Sequence, residues 1–360
     1  MNPAPQSEPA AVVACMRNEG LFVLEWLAYH LEIGFARAVI CTNDCTDGSD
    51  TLLDLLADRG QVTHLHHSPA EGKAPQDSGI RAAMAALDGS ETVWLLFIDA
   101  DEFLNIRLGQ GHVADLLATA GESDVIALPW RFFGNAGLAD WPLAMPPANV
   151  IETFPRAGAE PDAEQVNFKS MFRRAAFAHA HDHMPQAPRI ARPRVVSAAG
   201  EALENRALLS QRKYRKYQPL DRAIRLDAAY LNHYAVKSND LFLLKNHRGD
   251  GQNGPNTFQR YHLGWKWHRA ANQNTIEDLS ILRHLPGMNR RLADWRADPA
   301  IAEAEAACDR WFVDTKNAIL TPNAAPLGPM RRLSNVMTQA IHKPYANHTL
   351  RKWRNPHGNL

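Results

Sequence analysis

In the first third of the chain, short unbroken apolar runs take turns with stretches whose apolar residues recur every third or fourth position. Ala10–Met16 is such a run and predicts a strand buried on both faces. Leu21, Leu24, Ala28 and Leu31 then share one helical face, so the spacing predicts a helix over Leu21–Ile33, stopped at Gly34. The same reading gives strands at Ala36–Thr42, Gln61–His66, Val93–Ile98 and Asp124–Leu128. Helices at Thr51–Ala57, Gln76–Leu87 and Val113–Ala118 lie between them. This alternation implies an α/β fold with a doubly wound, mostly parallel sheet. In such sheets ligands collect beyond the carboxyl ends of the strands. Three polar clusters fall there: Arg17-Asn18-Glu19, Asn43-Asp44 and Asp99-Ala100-Asp101-Glu102.

After Gly134 the pattern loosens. Ala139–Glu164 is rich in proline and alanine and reads as a long surface loop. Shorter strands are expected at Val166–Arg173, Arg194–Ser197 and Tyr230–Val236. From Asp240 onward the chain reads as helical, with Trp265, Trp267, Trp295 and Trp311 as packing anchors. The expected organisation is a catalytic domain over 10–240, a helical extension over 241–314 and a basic tail over 315–360.

Composition narrows the function classes. Basic and acidic residues balance at 39 each, which argues against a nucleic-acid binder. The balance is uneven along the chain, however. Residues 315–360 hold no acid and seven bases, from Lys316 and Arg331 to Arg351, Lys352 and Arg354 around Trp353. Such a tail fits peripheral contact with an anionic membrane or glycan. No signal peptide and no run of 18 apolar residues is visible, so a soluble, cytoplasmic protein is expected. The four cysteines suggest no disulfide framework and no zinc pair.

The acidic cluster carries the chemistry. Residues two apart on an extended segment point the same way, so Asp99 and Asp101 are expected to share one site. Two adjacent carboxylates repel unless a cation or proton lies between them. A Mn²⁺ or Mg²⁺ ion suits them, and it would offset charge on a departing nucleoside diphosphate.

Several motifs together resemble a known family. Cys15-Met16-Arg17-Asn18-Glu19, then Glu25-Trp26-Leu27-Ala28-Tyr29-His30 and Gly34, look like the start of a bacterial branch of glycosyltransferase family 2. They are also similar to the related glycosyltransferase family 92. Asn43–Ser49, Asp99–Phe103, Asn232-His233-Tyr234, Lys237-Ser238, and Lys245 with Arg248-Gly249 extend the resemblance over roughly residues 10–250. It implies a GT-A fold and a metal-dependent, inverting transferase using a nucleotide-sugar donor, with a UDP-sugar favoured. Asn18, Glu19, Asn43 and Asp44 would line the nucleotide pocket. Asp99 would touch ribose or a metal-bound water, and Asp101 would ligate the metal. Asn43 stands where the family usually has an acid, which leaves the base open. The acceptor would be a glycan or a lipid-linked sugar.

The remaining site residues are less sharply drawn. His179, His181 and His183 alternate and could share a strand face, with Asp182 beside them as a metal set of its own. His183 and His233 are candidates for a third ligand to the Asp101 metal. Lys73, Lys237, Lys245 and Arg248 offer positive charge to a diphosphate. Asp182 and Asp240 are candidates for the base that takes the acceptor proton, although Asp240 also fits a helix cap. Trp130–Phe133 either line the acceptor site or pack in the core. Two other classes stay open: a nucleotidyltransferase or metal-dependent hydrolase on a similar sheet, and a non-catalytic nucleotide-sugar-binding module. Against the nucleotidyltransferase, Arg17–Leu21 holds one glycine, not a glycine-rich phosphate loop.

Overall fold

The computed structural model describes residues 8–69, 74–143, 147–161, 166–209, 216–248 and 261–320. The predicted alternation is present: strands β1 (Ala10–Met16), β2 (Arg37–Thr42), β3 (Thr63–His66) and β4 (Trp94–Phe97) alternate with helices α1 (Val23–Glu32), α2 (Ser49–Asp58) and α3 (Pro75–Ala86). These four strands are mutually parallel in the order β3-β2-β1-β4. Side chains on β1 alternate between two cores, as the two-residue strand period requires. Ala10, Val12 and Ala14 pack with Leu24, Leu27, Leu52 and Leu56 of α1 and α2. Ala11 and Val13 pack on the opposite face with Ile80 and Ala83 of α3. The sheet is thus wound on both faces.

Beyond β4 the structure departs from an all-parallel order. The chain turns at Asp99–Glu102 and enters β5 (Glu102–Ile106), a strand the apolar pattern did not separate from β4. Helix α4 (Val113–Ala120) leads to β6 (Val125–Phe132). Strand β7 (Phe168–Arg173) then inserts antiparallel between β4 and β6. Strands β8 (Val195–Ser197) and β9 (Ala202–Leu203) extend that edge, β8 parallel to β6 and β9 antiparallel to β8. Strand β10 (Ala229–His233) bridges β5 and β6, antiparallel to the first and parallel to the second. Among the described residues the sheet is therefore mixed α/β and mostly parallel on its β3–β4 half.

The helices read from Asp240 onward include α5 (Asn239–Arg248), α6 (Leu285–Arg296) and α7 (Pro299–Leu320). Met288, Leu292, Trp295, Ile301, Cys308 and Phe312 join the same core as α1 and α2. Packing of α7 explains Gly20: a Cβ there would lie 2.4 Å from Cys308 Sγ. Of the four expected tryptophan anchors, Trp295 is fully buried, whereas Trp265 is exposed. Helix α7 also corrects the tail boundary at 315, because it runs on to Leu320. Lys316 lies within it and pairs with Asp140 and Asp240 at 2.6 and 2.7 Å. The other basic residues of the tail lie outside the described residues. No helix among the described residues is long and apolar enough to cross a membrane.

Candidate active site

The site is built on the turn after β4. Glu102 N donates to Asp99 O at 3.0 Å, which closes a tight reversal. The segment is therefore not extended, and the expectation that Asp99 and Asp101 point together needs correcting. The reversal sends the two carboxylates to different cations. Asp99 Oδ2 accepts from Lys169 Nζ at 3.1 Å, and Asp99 Oδ1 accepts from Gln76 Nε2 at 2.9 Å. Asp101 Oδ2 accepts from Lys245 Nζ at 2.8 Å, and Asp101 Oδ1 lies 3.5 Å from His233 Nε2.

Burial sets the electrostatics. The Asp101 side chain is 14% exposed. Burial alone would raise its carboxyl, but Lys245 and His233 outweigh it and hold Asp101 well below the usual carboxylate range. Glu102 is fully buried, and burial pushes its carboxyl well above the usual range. Lys169 lies 3.5 Å from Glu102 Oε2 as well, yet one ammonium balances only one carboxylate. Asp99 takes the hydrogen bond from Lys169, and the deeper Glu102 accepts from Asp99 N through Oε2 at 3.0 Å. Burial would lower the Lys169 ammonium, but Asp99 and then Glu102 raise it.

A second group of charges comes from the segment after β10. Lys237, Lys245 and Arg248 line a cleft with Asn18, Glu19 and Phe22. Arg248 forms an ion pair with Glu19. Lys237 Nζ sits 4.4 Å over the Phe22 ring, and burial lowers its pKa to about 7. The expected nucleotide residues Glu19, Lys237 and Arg248 thus meet in one place. Asn18 also fixes the neighbouring loop, since its amide accepts from Thr46 N at 2.8 Å and donates to Thr46 Oγ1 at 3.0 Å. Asn43 donates to Asp44 Oδ2 at 3.0 Å, and Asp44 is exposed beyond the end of β2. Because β2, β1 and β4 are adjacent and parallel, Asp44, Glu19 and Asp99 all follow the same edge of the sheet.

The other candidate residues have partners of their own. His179, His181 and His183 do not share a face: His179 is exposed, while the other two are buried. His183 pairs with groups outside the acidic turn. Its Nδ1 is 2.8 Å from Phe168 O and its Nε2 is 3.4 Å from Asp182 Oδ2. Asp240 is wrongly placed for a base. It is fully buried and accepts from Ser238 Oγ, Leu241 N, Trp141 N and Lys316 Nζ, so its lone pairs are committed. Asp182 is buried between His181 and His183. Of the Trp130–Phe133 segment, Trp130 and Phe132 contact the His233 ring at 4.4 and 5.1 Å. Arg131 pairs with Asp278 at 2.5 Å, and Phe133 is core. Lys73 and Gly249 lie outside the described residues.

The motif Glu25–His30 proves to be scaffolding. Trp26 Nε1 donates to Glu102 O at 3.0 Å and Tyr29 OH to Leu104 O at 2.8 Å. Glu25 accepts from Val150 N and Ile151 N at 2.7 and 3.0 Å. The Trp26 and Tyr29 bonds pin α1 to the strand that follows the acidic turn, and the Glu25 bonds tie it to Val150–Thr153. Sequence reasoning missed Gln76 and Lys169, and noted Glu102 in the acidic cluster without giving it a role. Lys169 did leave a signal: a lysine inside Phe168-Lys169-Ser170-Met171-Phe172 must find an acid if that strand is buried.

The donor set tests the metal expectation. Asp101 Oδ1 and His233 Nε2 face one another, and a carboxylate with an imidazole suits Mn²⁺ completed by water and phosphate oxygens. Asp99 and His183 add no third ligand to that pair. Among the described residues, three His, Cys, Asp or Glu ligand atoms converge within 4.8 Å at another place, Asp54, His64 and His66.

The fold and site define a mixed α/β protein with a charged pocket at the carboxyl edge of its parallel strands. No protein-family model matches the chain. It is similar to a glycosyltransferase family 92 protein of Ricinus communis, 29% identical over 134 residues, which covers 36% of this chain and 24% of the relative. A family 92 protein of Oryza sativa subsp. japonica is 31% identical over 106 residues, covering 29% of this chain and 18% of the relative. The chain thus spans about a quarter or less of the curated relatives it matches. Both are plant proteins, so the bacterial side of the resemblance rests on the motifs alone. Among solved structures, a mannosyltransferase of Pyrobaculum calidifontis in complex with GDP-Man and Mn²⁺ aligns at 13% identity and a TM-score of 0.32. It covers 97% of this chain and 85% of that one. TarS of S. aureus in complex with UDP aligns at 16% identity and a TM-score of 0.26, covering 35% of this chain and 36% of that one. At these scores the structural likeness decides nothing about function.

Proposed function

We propose that the chain is a GT-A-type glycosyltransferase that moves a sugar from a nucleotide diphosphate-sugar to a glycan or lipid-linked acceptor in the cytoplasm. One observation carries the reading. Asp101 and Glu19, from two parallel strand ends, are met by Lys245 and Arg248 from a single helix, with Lys237 between them. That is an acidic metal-type turn beside a cationic cleft, and it suits a diphosphate with its counter-cation. The similarity to family 92 proteins supports the same class.

In this reading Asp101 and His233 would hold a Mn²⁺ or Mg²⁺ ion, which when bound offsets charge on the departing diphosphate. Lys237 takes up a proton as the diphosphate arrives, because its neutral form is within reach near pH 7. Lys245 and Arg248 exchange carboxylate partners for phosphate oxygens. Glu19, Asn43 and Asp44 face the nucleoside, with uridine favoured. Trp130 and Phe132 offer apolar rings to the acceptor sugar. Of the two candidate bases Asp182 remains, its carboxylate lying between His181 and His183, and in this reading it would take the acceptor hydroxyl proton while attack opposite the leaving group inverts the anomeric carbon.

The test is a screen of UDP- and GDP-sugars with the purified chain, with and without Mn²⁺. Thermal shift reports binding and nucleotide release reports turnover. Metal-dependent release of UDP or GDP supports the proposal. Stabilisation without release identifies a binding module, and neither signal with any donor removes the reading.

A further inference from the structure

We propose that Asp54, His64 and His66 form a zinc site on the outer edge of the sheet, separate from the acidic turn. β3 is the edge strand, and His64 and His66 are two residues apart on it, so both imidazoles project to one face. Asp54 reaches the same face from α2. His64 Nδ1 lies 2.7 Å and His66 Nε2 lies 2.8 Å from Asp54 Oδ1. Two imidazoles therefore crowd a single carboxylate oxygen, and their rings lie 4.3 Å apart.

Two imidazoles and a carboxylate are a donor set for zinc, whose catalytic and open sites use three protein ligands and a water. Tetrahedral bonds of about 2.0–2.1 Å put ligand atoms about 3.3 Å apart. The three atoms need to open by about half an ångström, and the Asp54 and His66 side chains, 52% and 60% exposed, have room to do so. His64 supplies the rigid corner. Its side chain is 1% exposed, and its other nitrogen is held by Thr42 Oγ1 at 2.8 Å. With zinc on Nδ1, the neutral ring carries its proton on Nε2 and donates it to that hydroxyl, which is how outer partners orient ligating histidines. The fourth position faces solvent, so water completes the site.

The site would clamp α2 onto β3. It also touches the nucleotide edge, because Thr42 ends β2 directly before Asn43 and Asp44. The inference does not depend on the transferase reading, since its readout is metal content and not turnover.

The experiment compares the 360-residue parent with His66→Ala and Thr42→Val. All are dialysed against limiting Zn²⁺ and counted by atomic emission. Co²⁺ is then titrated and followed by its visible absorption. His66 is exposed, so its removal leaves the core intact, and the acidic turn is unchanged in every form. The parent should retain one zinc more than His66→Ala and give a tetrahedral cobalt band that His66→Ala lacks. Thr42→Val should bind about 10–100-fold more weakly through loss of the outer hydrogen bond. Equal zinc content in parent and His66→Ala, or no cobalt band in the parent, overturns the site.

Discussion

Lys245 Nζ donates to Asp101 Oδ2 at 2.8 Å across 144 residues of chain, and both side chains are nearly buried. The same ammonium also donates to Ala235 O. This one contact fastens the acidic turn after β4 to the helix that follows β10. It makes the electrostatics of the two halves inseparable, and the first prediction follows from that.

Asp101→Asn should lower transfer by about a hundredfold or more, corresponding to several kcal/mol of transition-state stabilisation. It should also lower stability by about 3 kcal/mol, because Lys245 is left buried without its carboxylate. Adding Lys245→Met should recover most of the stability and none of the activity. Urea midpoints and nucleotide release measure the two effects separately. A single variant as stable as the parent would disprove the pairing argument.

Lys237 should make donor binding depend on pH. Burial lowers its pKa to about 7, whereas an unfolded lysine titrates near 10.5. The folded value is the lower one, so its cost to stability is full below pH 7 and fades as pH rises from 7 to 10.5. At pH 8 the folded side chain is mostly neutral, and a bound diphosphate should draw a proton onto it. Calorimetry of UDP binding in buffers of different ionisation enthalpy should show proton uptake. Lys237→Met should abolish that uptake, and an unchanged value would exclude the assigned role.

Glu102 should set a slope in stability against pH. Burial holds its carboxyl well above the usual range, and Oε1 has no hydrogen-bond partner among the described residues. The folded chain keeps a proton that the unfolded chain releases above pH 4.5, so stability falls as pH rises from there towards the folded value. Glu102→Gln is neutral in both states and should flatten that fall, gaining on the parent at pH 8 relative to pH 5. Parallel denaturation profiles for the two proteins would contradict this.

The tail prediction keeps its sequence basis with a moved boundary. Lys316 is already neutralised by Asp140 and Asp240, so the charges available to an anionic surface begin at Arg331. Each basic residue near such a surface contributes about 1 kcal/mol within a Debye length. The chain ending at Leu360 should co-sediment with anionic liposomes at low salt and release at high salt. A form ending at Leu320 should stay in the supernatant. If both forms stay there at low salt, the membrane contact is excluded.

Much of the layout was legible before any coordinates. The runs at Ala10–Met16 and Trp94–Phe97 are apolar because both faces are covered, and the helical spacing between them fixes a parallel crossover. Such order makes Glu19, Asp44 and Asp99 follow one edge, and that much of the site could be read from spacing. The motifs around Asn18 and Asn232 took their roles from the family resemblance and not from local period. Trp26 and Tyr29 turned out to hold α1 against β5, and Glu25 to hold it against Val150–Thr153, duties that no residue type announces.

Local period and burial are therefore enough to read the alternation of elements and the polar ends of β1, β2 and β4. Which cation meets which acid depends on contacts between distant segments. Lys169 reaches Asp99 because β7 inserts antiparallel between β4 and β6, and Lys245 reaches Asp101 because α5 folds back over the turn. The reversal at Asp99–Glu102 likewise separates two carboxylates that an extended reading would join. Strand insertion and turn geometry are settled by pairing between distant segments, and the energy of a buried charge depends on the partner across that gap and not on its neighbours in the chain.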